Sequence, residues 1–276
     1  MKTLAAPEAS RRPVPKKSSR PPTIPLPDIF TSANFTLPRV GCVRYLNAKP
    51  LCHTLGDDVV YGHPTEIAQQ LRDHKLDVAN VPIMECLEHP TYQIVDGYGV
   101  TSRGPVYSVI LVHRCPFAQI KTIALDSASK TSAALIRVLM RKMLKHPVEF
   151  LPTDAPADAH LWIGDQAMAY RKQHPDEQVL DLGAAWYQLT KLPFVFAVWA
   201  MHPKVGNRSI AQALREAAVR GMAARAEIAA TPEEYHYLTK NVRFEIGLEE
   251  KRGIVCFAQH LLECGLIPAL PKLHWI

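Results

Sequence analysis

The sequence predicts an α/β chain folded into two lobes with a helical C-terminal region. Three observations carry this. Short apolar runs of strand length alternate with amphipathic helical stretches from Val40 to Trp199. Two runs, Val109–Val112 and Phe194–Ala200, are apolar throughout and read as buried strands that cross between two βα-rich halves. From Ser209 onward the spacing of apolar residues is helical. A chain of 276 residues suits two modest units better than one large one. On this division residues 118–194 form an inserted lobe, and residues 37–112 with 200–276 form the other.

Val40, Cys42 and Val43 form a first short strand that ends at Arg44. Tyr45, Leu46, Asn47, Ala48, Lys49 and Pro50 follow, so polar groups gather just past a strand's carboxyl end, where α/β proteins bind ligands. Asn47 can donate and accept, and Arg44 and Lys49 are fixed positive charges. The same residues also suit an ordinary βα surface loop. Val59–Tyr61 predicts a second strand, Thr65 an N-cap, and Ile67, Ala68 and Leu71 one helical face ending near His74-Lys75. Leu76–Pro82 predicts a strand in parallel pairing, Ile83–Leu87 a short helix and Tyr92–Val95 another strand.

Residues 97–108 are dense in glycine and hydroxyls and predict a loop running into Val109. Gly104-Pro105 marks a turn, and glycines also let backbone N–H groups approach a ligand. Ser102 and Ser108 bracket that loop. Ile120–Leu125 predicts a strand and Ala133–Lys145 a helix with Leu135, Val138, Leu139 and Met143 on one stripe. Between them lie Ser127, Ser129, Lys130, Thr131 and Ser132. Hydroxyls, a lysine and the positive end of a helix make a site for a carboxylate or phosphate, whereas capping alone needs one hydroxyl. Ala159–Ile163 predicts a strand leading into Gly164-Asp165, then a helix over 166–172. Asp165 is either that helix's N-cap or a ligand group at a strand end. Val179–Leu182 predicts a strand, Ala184–Leu189 a helix, and Phe194–Ala200 a central strand whose aromatics belong to the core. Ser209 caps a long helix, Thr231-Pro232-Glu233-Glu234 opens another, and Lys251–Cys264 forms the last, stopping at Gly265.

Composition narrows the function classes. The net charge of +6 is concentrated in residues 1–36, where Lys2, Arg11, Arg12, Lys16, Lys17 and Arg20 face only Glu8 and Asp28. The remainder is near neutral, so no nucleic-acid partner is expected. The same segment is rich in proline, predicts an extended or disordered tail, and lacks the apolar core of a secretory signal. The six cysteines form no C-x-x-C and several sit in apolar runs, which predicts free thiols in a reducing compartment. The twelve histidines show no metal-ligand spacing, so no metal is expected. No apolar run approaches the roughly eighteen residues of a membrane span, so no membrane partner is expected either. The expectation is a cytoplasmic protein, monomeric or weakly dimeric.

Six blocks occur in one order: G-C-V-R-Y-L-N-A-K-P-L, L-D-V-A-N-V-P, S-R-G-P-V-Y-S-V, A-L-D-S-A-S-K-T-S, I-G-D and L-P-F-V-F-A-V-W-A. Together they resemble the chorismate dehydratases of the futalosine route to menaquinone, over about residues 38–202 and more loosely beyond. The resemblance implies a two-lobed fold like the type II periplasmic binding proteins, with central mixed sheets. It implies a lyase that removes the C3 proton and C4 hydroxyl of chorismate to give 3-[(1-carboxyvinyl)oxy]benzoate. Aromatisation drives that reaction, so no redox cofactor is implied. The substrate's two carboxylates need anchoring. Asn47, Ser108 and Ser102 are the candidate catalytic residues. Arg44, Tyr45, Lys49, Gly104, Pro105, Ser129, Lys130, Thr131, Ser132 and Asp165 are the candidates for binding. Lys49 stands where arginine is common in the family, which weakens any bidentate carboxylate contact. No Glu or His in the motif loops stands out as a base, and a substrate carboxylate in that role fits their absence. A non-catalytic carboxylate-binding protein shares the fold but needs export. The related dihydroxynaphthoate synthase shares it too, but its motif with a catalytic histidine is not found here.

Overall fold

The first strand, β1 (Val40–Val43), begins a parallel unit: a short helix α1 (Lys49–Cys52), β2 (Val60–Gly62), α2 (Pro64–Arg72) and β3 (Val78–Pro82). The structure is a computed structural model and describes residues 38–126, 129–205 and 207–276. The expectations for the tail of residues 1–36 and for Ser127 lie outside the described residues. β1 pairs in parallel with β2 and with β3. β3 is buried at all five positions, which is why its sequence shows no polar–apolar alternation. α2 is capped by His63 with Pro64 at its first turn, not by Thr65: the Glu66 carboxylate accepts the His63 N–H at 2.9 Å. Proline's fixed φ suits the first helical position, which places the cap one residue before it.

α3 (Ile83–Glu88) leads into β4 (Gln93–Ser102), a strand of ten residues. The loop expected over 97–108 therefore begins only after Ser102. Gly97 and Gly99 remain in the strand, beside the register shifts that β4 makes with its neighbours. β5 (Val109–His113), β6 (Thr122–Ala124), α4 (Lys130–Met143), β7 (Glu149–Leu151), β8 (Ala159–Ile163), α5 (Gly164–Gln173), β9 (Val179–Asp181) and α6 (Leu182–Thr190) follow. Their strands form a sheet of order β7-β6-β8-β5-β9.

β10 (Phe194–Met201) returns to the larger sheet, inserted antiparallel between β3 and β4. The remaining elements are α7 (Arg208–Ala223), α8 (Arg225–Ile228), α9 (Pro232–His236), β11 (Arg243–Ile246), α10 (Leu248–Glu263) and β12 (His274–Trp275). The larger sheet runs β11-β4-β10-β3-β1-β2, with β12 beside β4. Both sheets are mixed, and helices surround them.

Sheet membership changes in the loop after Ser102 and again before Phe194. Val109–His113 thus lies within the smaller sheet and Phe194–Met201 within the larger, rather than either strand crossing between them. The C-terminal region is not wholly helical. In β11, Phe244 and Ile246 are buried while Arg243 and Glu245 are exposed, a period of two too short to stand out in sequence. Asn207, not Ser209, caps α7, its Oδ1 accepting the Ile210 N–H at 2.9 Å. Thr231 caps α9 as expected. Trp186, Phe194 and Phe257 meet edge to face and join α6, β10 and α10 into one core. α7 lies directly on α1: a Cβ at Gly221 would fall 1.8 Å from the Pro50 carbonyl oxygen, so only glycine fits there.

Candidate active site

A cavity opens between the two sheets. The larger sheet and its loops contribute Val43, Tyr45, Asn47, Pro64, Asn80, Pro82, Val100, Phe196 and Ala197. The smaller contributes Val106, Val109, Ser129, Thr131, Ser132, Ile163 and Gly164. Phe196 reaches the cavity because β10 bulges against β4 between Val195 and Ala197, turning two successive residues toward one side. It is buried in the core, as expected, and lines the cavity as well.

One pole is the N-terminus of α4. Ser129 is its N-cap, with Oγ accepting the Ser132 N–H at 3.2 Å. Thr131 is buried, and its Oγ1 accepts the Met84 N–H at 3.3 Å, leaving the hydroxyl hydrogen free to donate. Orphan N–H groups, the helix dipole and two hydroxyls meet on the cavity wall, an arrangement chemically suited to an anion. Lys130 turns away from the lining and pairs with Glu88 at 2.7 Å.

The other pole lies past β1. Asn47 lines the cavity. Behind it the Tyr237 hydroxyl donates to Ser108 Oγ at 2.7 Å and also meets the Asn47 side chain. Burial pushes the Tyr237 phenol well above its ordinary pKa, so it stays protonated. Tyr45 is pushed up to about 12, first by burial and then by the charges of Asp126 and Asp165. Its hydroxyl sits 3.2 Å from His63 Nδ1. Asp165 is not the cap of α5. Its Oδ1 accepts the Leu46 N–H at 3.0 Å, tying α5 to the loop past β1. Burial raises the Asp165 pKa, opposed by that N–H and by Lys49. Gly164, which opens α5 at φ +60°, lies against the Tyr45 ring and donates its N–H to the Ser108 carbonyl at 2.7 Å.

The structure thus brings Tyr45, Asn47, Ser129, Thr131 and Ser132 together on the lining, with Ser108 linked to Asn47 through the Tyr237 hydroxyl. Arg44 and Lys49 are exposed beside them. Gly104, at φ +100°, and Pro105 shape the loop between the sheets, and Pro105 accepts the Asn241 amide at 3.5 Å. Ser102 is buried at the end of β4 against Gly183, away from the lining. Outside the lining, Glu85, Glu88 and His89 bring ligand-type atoms together, but Arg72 and Lys130 already pair with the two carboxylates.

Three features were not found in the sequence. Asn80 sits in an apolar strand and looks like a tolerated core residue. Tyr237 starts a π-turn, Tyr237–Asn241, far along the chain. Asp181 receives the N–H groups of Val106 at 3.0 Å and Tyr107 at 2.7 Å, and holds Tyr107 at the unusual φ of +68°. Among the described residues the lining holds no carboxylate, imidazole or amine.

Two lobes, each with a mixed sheet, and a cavity between them define a fold of periplasmic-binding-protein type. Solved structures agree on the fold. A protein from Archaeoglobus fulgidus superposes with a TM-score of 0.65 at 16% identity, covering 83% of this chain and 98% of its own. A Candida albicans protein described as exhibiting the generic periplasmic binding protein fold gives 0.57 at 14% identity, covering 85% and 92%. The sequence goes further. The family described as Menaquinone biosynthesis matches residues 38–261, and the chain belongs to it. A chorismate dehydratase of Thermus thermophilus is 30% identical over 259 residues, covering 80% of this chain and 94% of that protein. No described helix is long and apolar enough to cross a membrane.

Proposed function

We propose that this chain is a chorismate dehydratase, releasing 3-[(1-carboxyvinyl)oxy]benzoate and water in the first step of the futalosine route to menaquinone. The observation that carries the reading is the pairing of an α4 N-terminus, with Thr131 and Ser132, and an amide pole at Asn47 across one cavity. The chorismate dehydratase relative supports the same reaction.

The assignment of roles follows the geometry. The α4 pole holds one substrate carboxylate. Asn47, braced by Tyr237 and Ser108, orients the ring. Arg44 and Lys49, at the edge of the site, favour entry of a dianion. A lining without an acid–base side chain supports the substrate's own enolpyruvyl carboxylate as acceptor of the C3 proton. The enzyme then contributes position and electrostatics rather than a base. Ser102, buried away from the lining, acts only through the 103–108 loop in this scheme. Cytoplasmic placement accords with six unbridged cysteines.

Purified protein incubated with chorismate and no added cofactor tests the reading. Release of 3-[(1-carboxyvinyl)oxy]benzoate, identified by mass and ultraviolet spectrum, is expected. No product overturns it. Tight chorismate binding without turnover points instead to a binding protein, a role common to this fold: the aliphatic sulphonate-binding protein SsuA of Escherichia coli superposes with a TM-score of 0.54 at 15% identity, covering 84% of this chain and 94% of its own.

A further inference from the structure

Asn80 lies at the middle of β3, in the sequence Val78-Ala79-Asn80-Val81-Pro82, and is fully buried. Neither its Oδ1 nor its Nδ2 has a hydrogen-bond partner among the described residues. Trp199 stands directly opposite on β10, and its Nε1 has no partner among the described residues either. A buried amide with both atoms unpaired is costly, and an aliphatic side chain would pack there without that cost. Asn80 lines the cavity, beside Pro82, Phe196 and Ala197, so a bound ligand can supply its partners.

We propose that Asn80 is a catalytic residue that binds the C4 hydroxyl of chorismate, the group that leaves. The inference rests on the dehydratase reading above. Of the substrate's polar groups, the two carboxylates and the ether oxygen only accept hydrogen bonds. The hydroxyl alone both donates and accepts, and an amide offers the matching acceptor and donor. Asn80 Oδ1 accepts the hydroxyl hydrogen and fixes the C–O bond direction. Nδ2–H donates to the hydroxyl oxygen. In the reaction the C3–H bond breaks and its electron pair forms the C3–C4 π bond. The C4–O bond breaks with its pair on oxygen, and the oxygen leaves as water, its second proton being the one that the enolpyruvyl carboxylate takes from C3. The Nδ2–H donor stabilises the charge that builds on that oxygen and transfers no proton itself. Around it the wall is apolar, which strengthens the contact and lets it discriminate.

The test compares two ligands on the same variants. Asn80→Leu removes both polar atoms at similar volume, and Asn80→Ala guards against a packing artefact. Chorismate carries the hydroxyl; 3-[(1-carboxyvinyl)oxy]benzoate keeps both carboxylates and the ether but lacks it. The expected result is a kcat loss on the order of 100-fold or more for chorismate. Binding of the product, followed by calorimetry, stays within about threefold of wild type, and the melting temperature of Asn80→Leu does not fall. Three outcomes overturn the assignment: chorismate turnover near wild type, an equal loss of affinity for the product, or a fall in melting temperature in both variants that accounts for the lost activity. Active wild type beside active variants defeats this assignment alone. Wild type that gives no product defeats the dehydratase reading and this assignment with it.

Discussion

Thr131→Val tests the anion pole with one atom exchanged for a methyl group. Thr131 is 2% exposed, so valine keeps the packing and the shape of the wall. Two interactions disappear. The Met84 N–H, in the first turn of α3, loses its acceptor at 3.3 Å. An unsatisfied buried donor costs about 1–3 kcal/mol, and a bond this long belongs at the low end of that range. For a chain of this size about 1 kcal/mol lowers the melting temperature by roughly 2–4 °C. The second loss is the hydroxyl hydrogen proposed to donate to a substrate carboxylate. A hydrogen bond to a charged group contributes about 1.5–3 kcal/mol, so affinity should fall about 10- to 150-fold. Titration calorimetry with 3-[(1-carboxyvinyl)oxy]benzoate reads the affinity without turnover, and scanning calorimetry reads the stability. Thr131→Ser retains the hydroxyl and should bind within a few-fold of wild type. A melting temperature that falls while the dissociation constant of Thr131→Val holds steady would show that the hydroxyl serves only Met84, and the carboxylate assignment would be lost.

Tyr237→Phe leaves Ser108 Oγ without its 2.7 Å donor and Asn47 without the phenol oxygen; stability should drop by about 1–2 kcal/mol in urea titration, with turnover of chorismate down about tenfold, and unchanged kinetics would separate this tyrosine from the site. Gly221→Ala drives a Cβ to within 1.8 Å of the Pro50 carbonyl oxygen, so α7 must retreat from α1 at a cost of about 1–3 kcal/mol; a melting curve identical to wild type would contradict the packing described. His202 donates from Nε2 to the Leu71 carbonyl at 2.6 Å and stacks on His74, and burial holds its pKa below the ordinary value. The unfolded chain therefore takes up that proton first as pH falls. The stability His202 contributes is complete above about pH 6.5 and is lost as pH drops toward the lower folded value. His202→Gln should flatten the melting temperature between about pH 7.5 and 5.5 relative to wild type, and parallel profiles would refute the linkage.

What the sequence reveals and conceals follows from the range over which each signal acts. The β1–α2–β3 unit is legible because a local rule sets each element: apolar run, capping turn, helical stripe. Asn47 and the hydroxyls before α4 are legible for the same reason, since polar residues at the end of an apolar run stand out against their neighbours. Asn80 escapes because five-residue β3 is buried on both faces, and one amide in it looks like a tolerated core residue. Its meaning lies in the absence of a partner, which only coordinates reveal. Tyr237 meets Ser108 from 129 residues away, and no local pattern encodes that meeting. The assignment of β5 and β10 to sheets was equally hidden. Both are continuous apolar runs, and such runs state burial without stating which sheet buries them. The caps at His63 and Asn207 were missed in favour of nearby threonine and serine, because cap preference ranks residue types and says little about which of two neighbours takes the position.

The polar groups of the cavity divide by sheet. Asn47 and Asn80 project from elements of the larger sheet, whereas Thr131 and Ser132 open a helix of the smaller one. A ligand that satisfies both sets must hold the sheets at one separation, and its affinity includes a differential preference for that arrangement. One protein contact already acts in the same sense. The Asp165 carboxylate accepts the Leu46 N–H and joins the loop past β1 to α5, one residue from Asn47. A carboxylate at that bridge bonds best when ionised, yet burial raises its pKa, with Lys49 and the Leu46 N–H working against the rise. Protonation of Asp165 would weaken this bridge between the loop past β1 and α5. If the dehydratase proposal holds, a lining that has no carboxylate or imidazole among the described residues makes the rate depend on such registration, because a small error in position removes much of the gain from orienting the reacting groups.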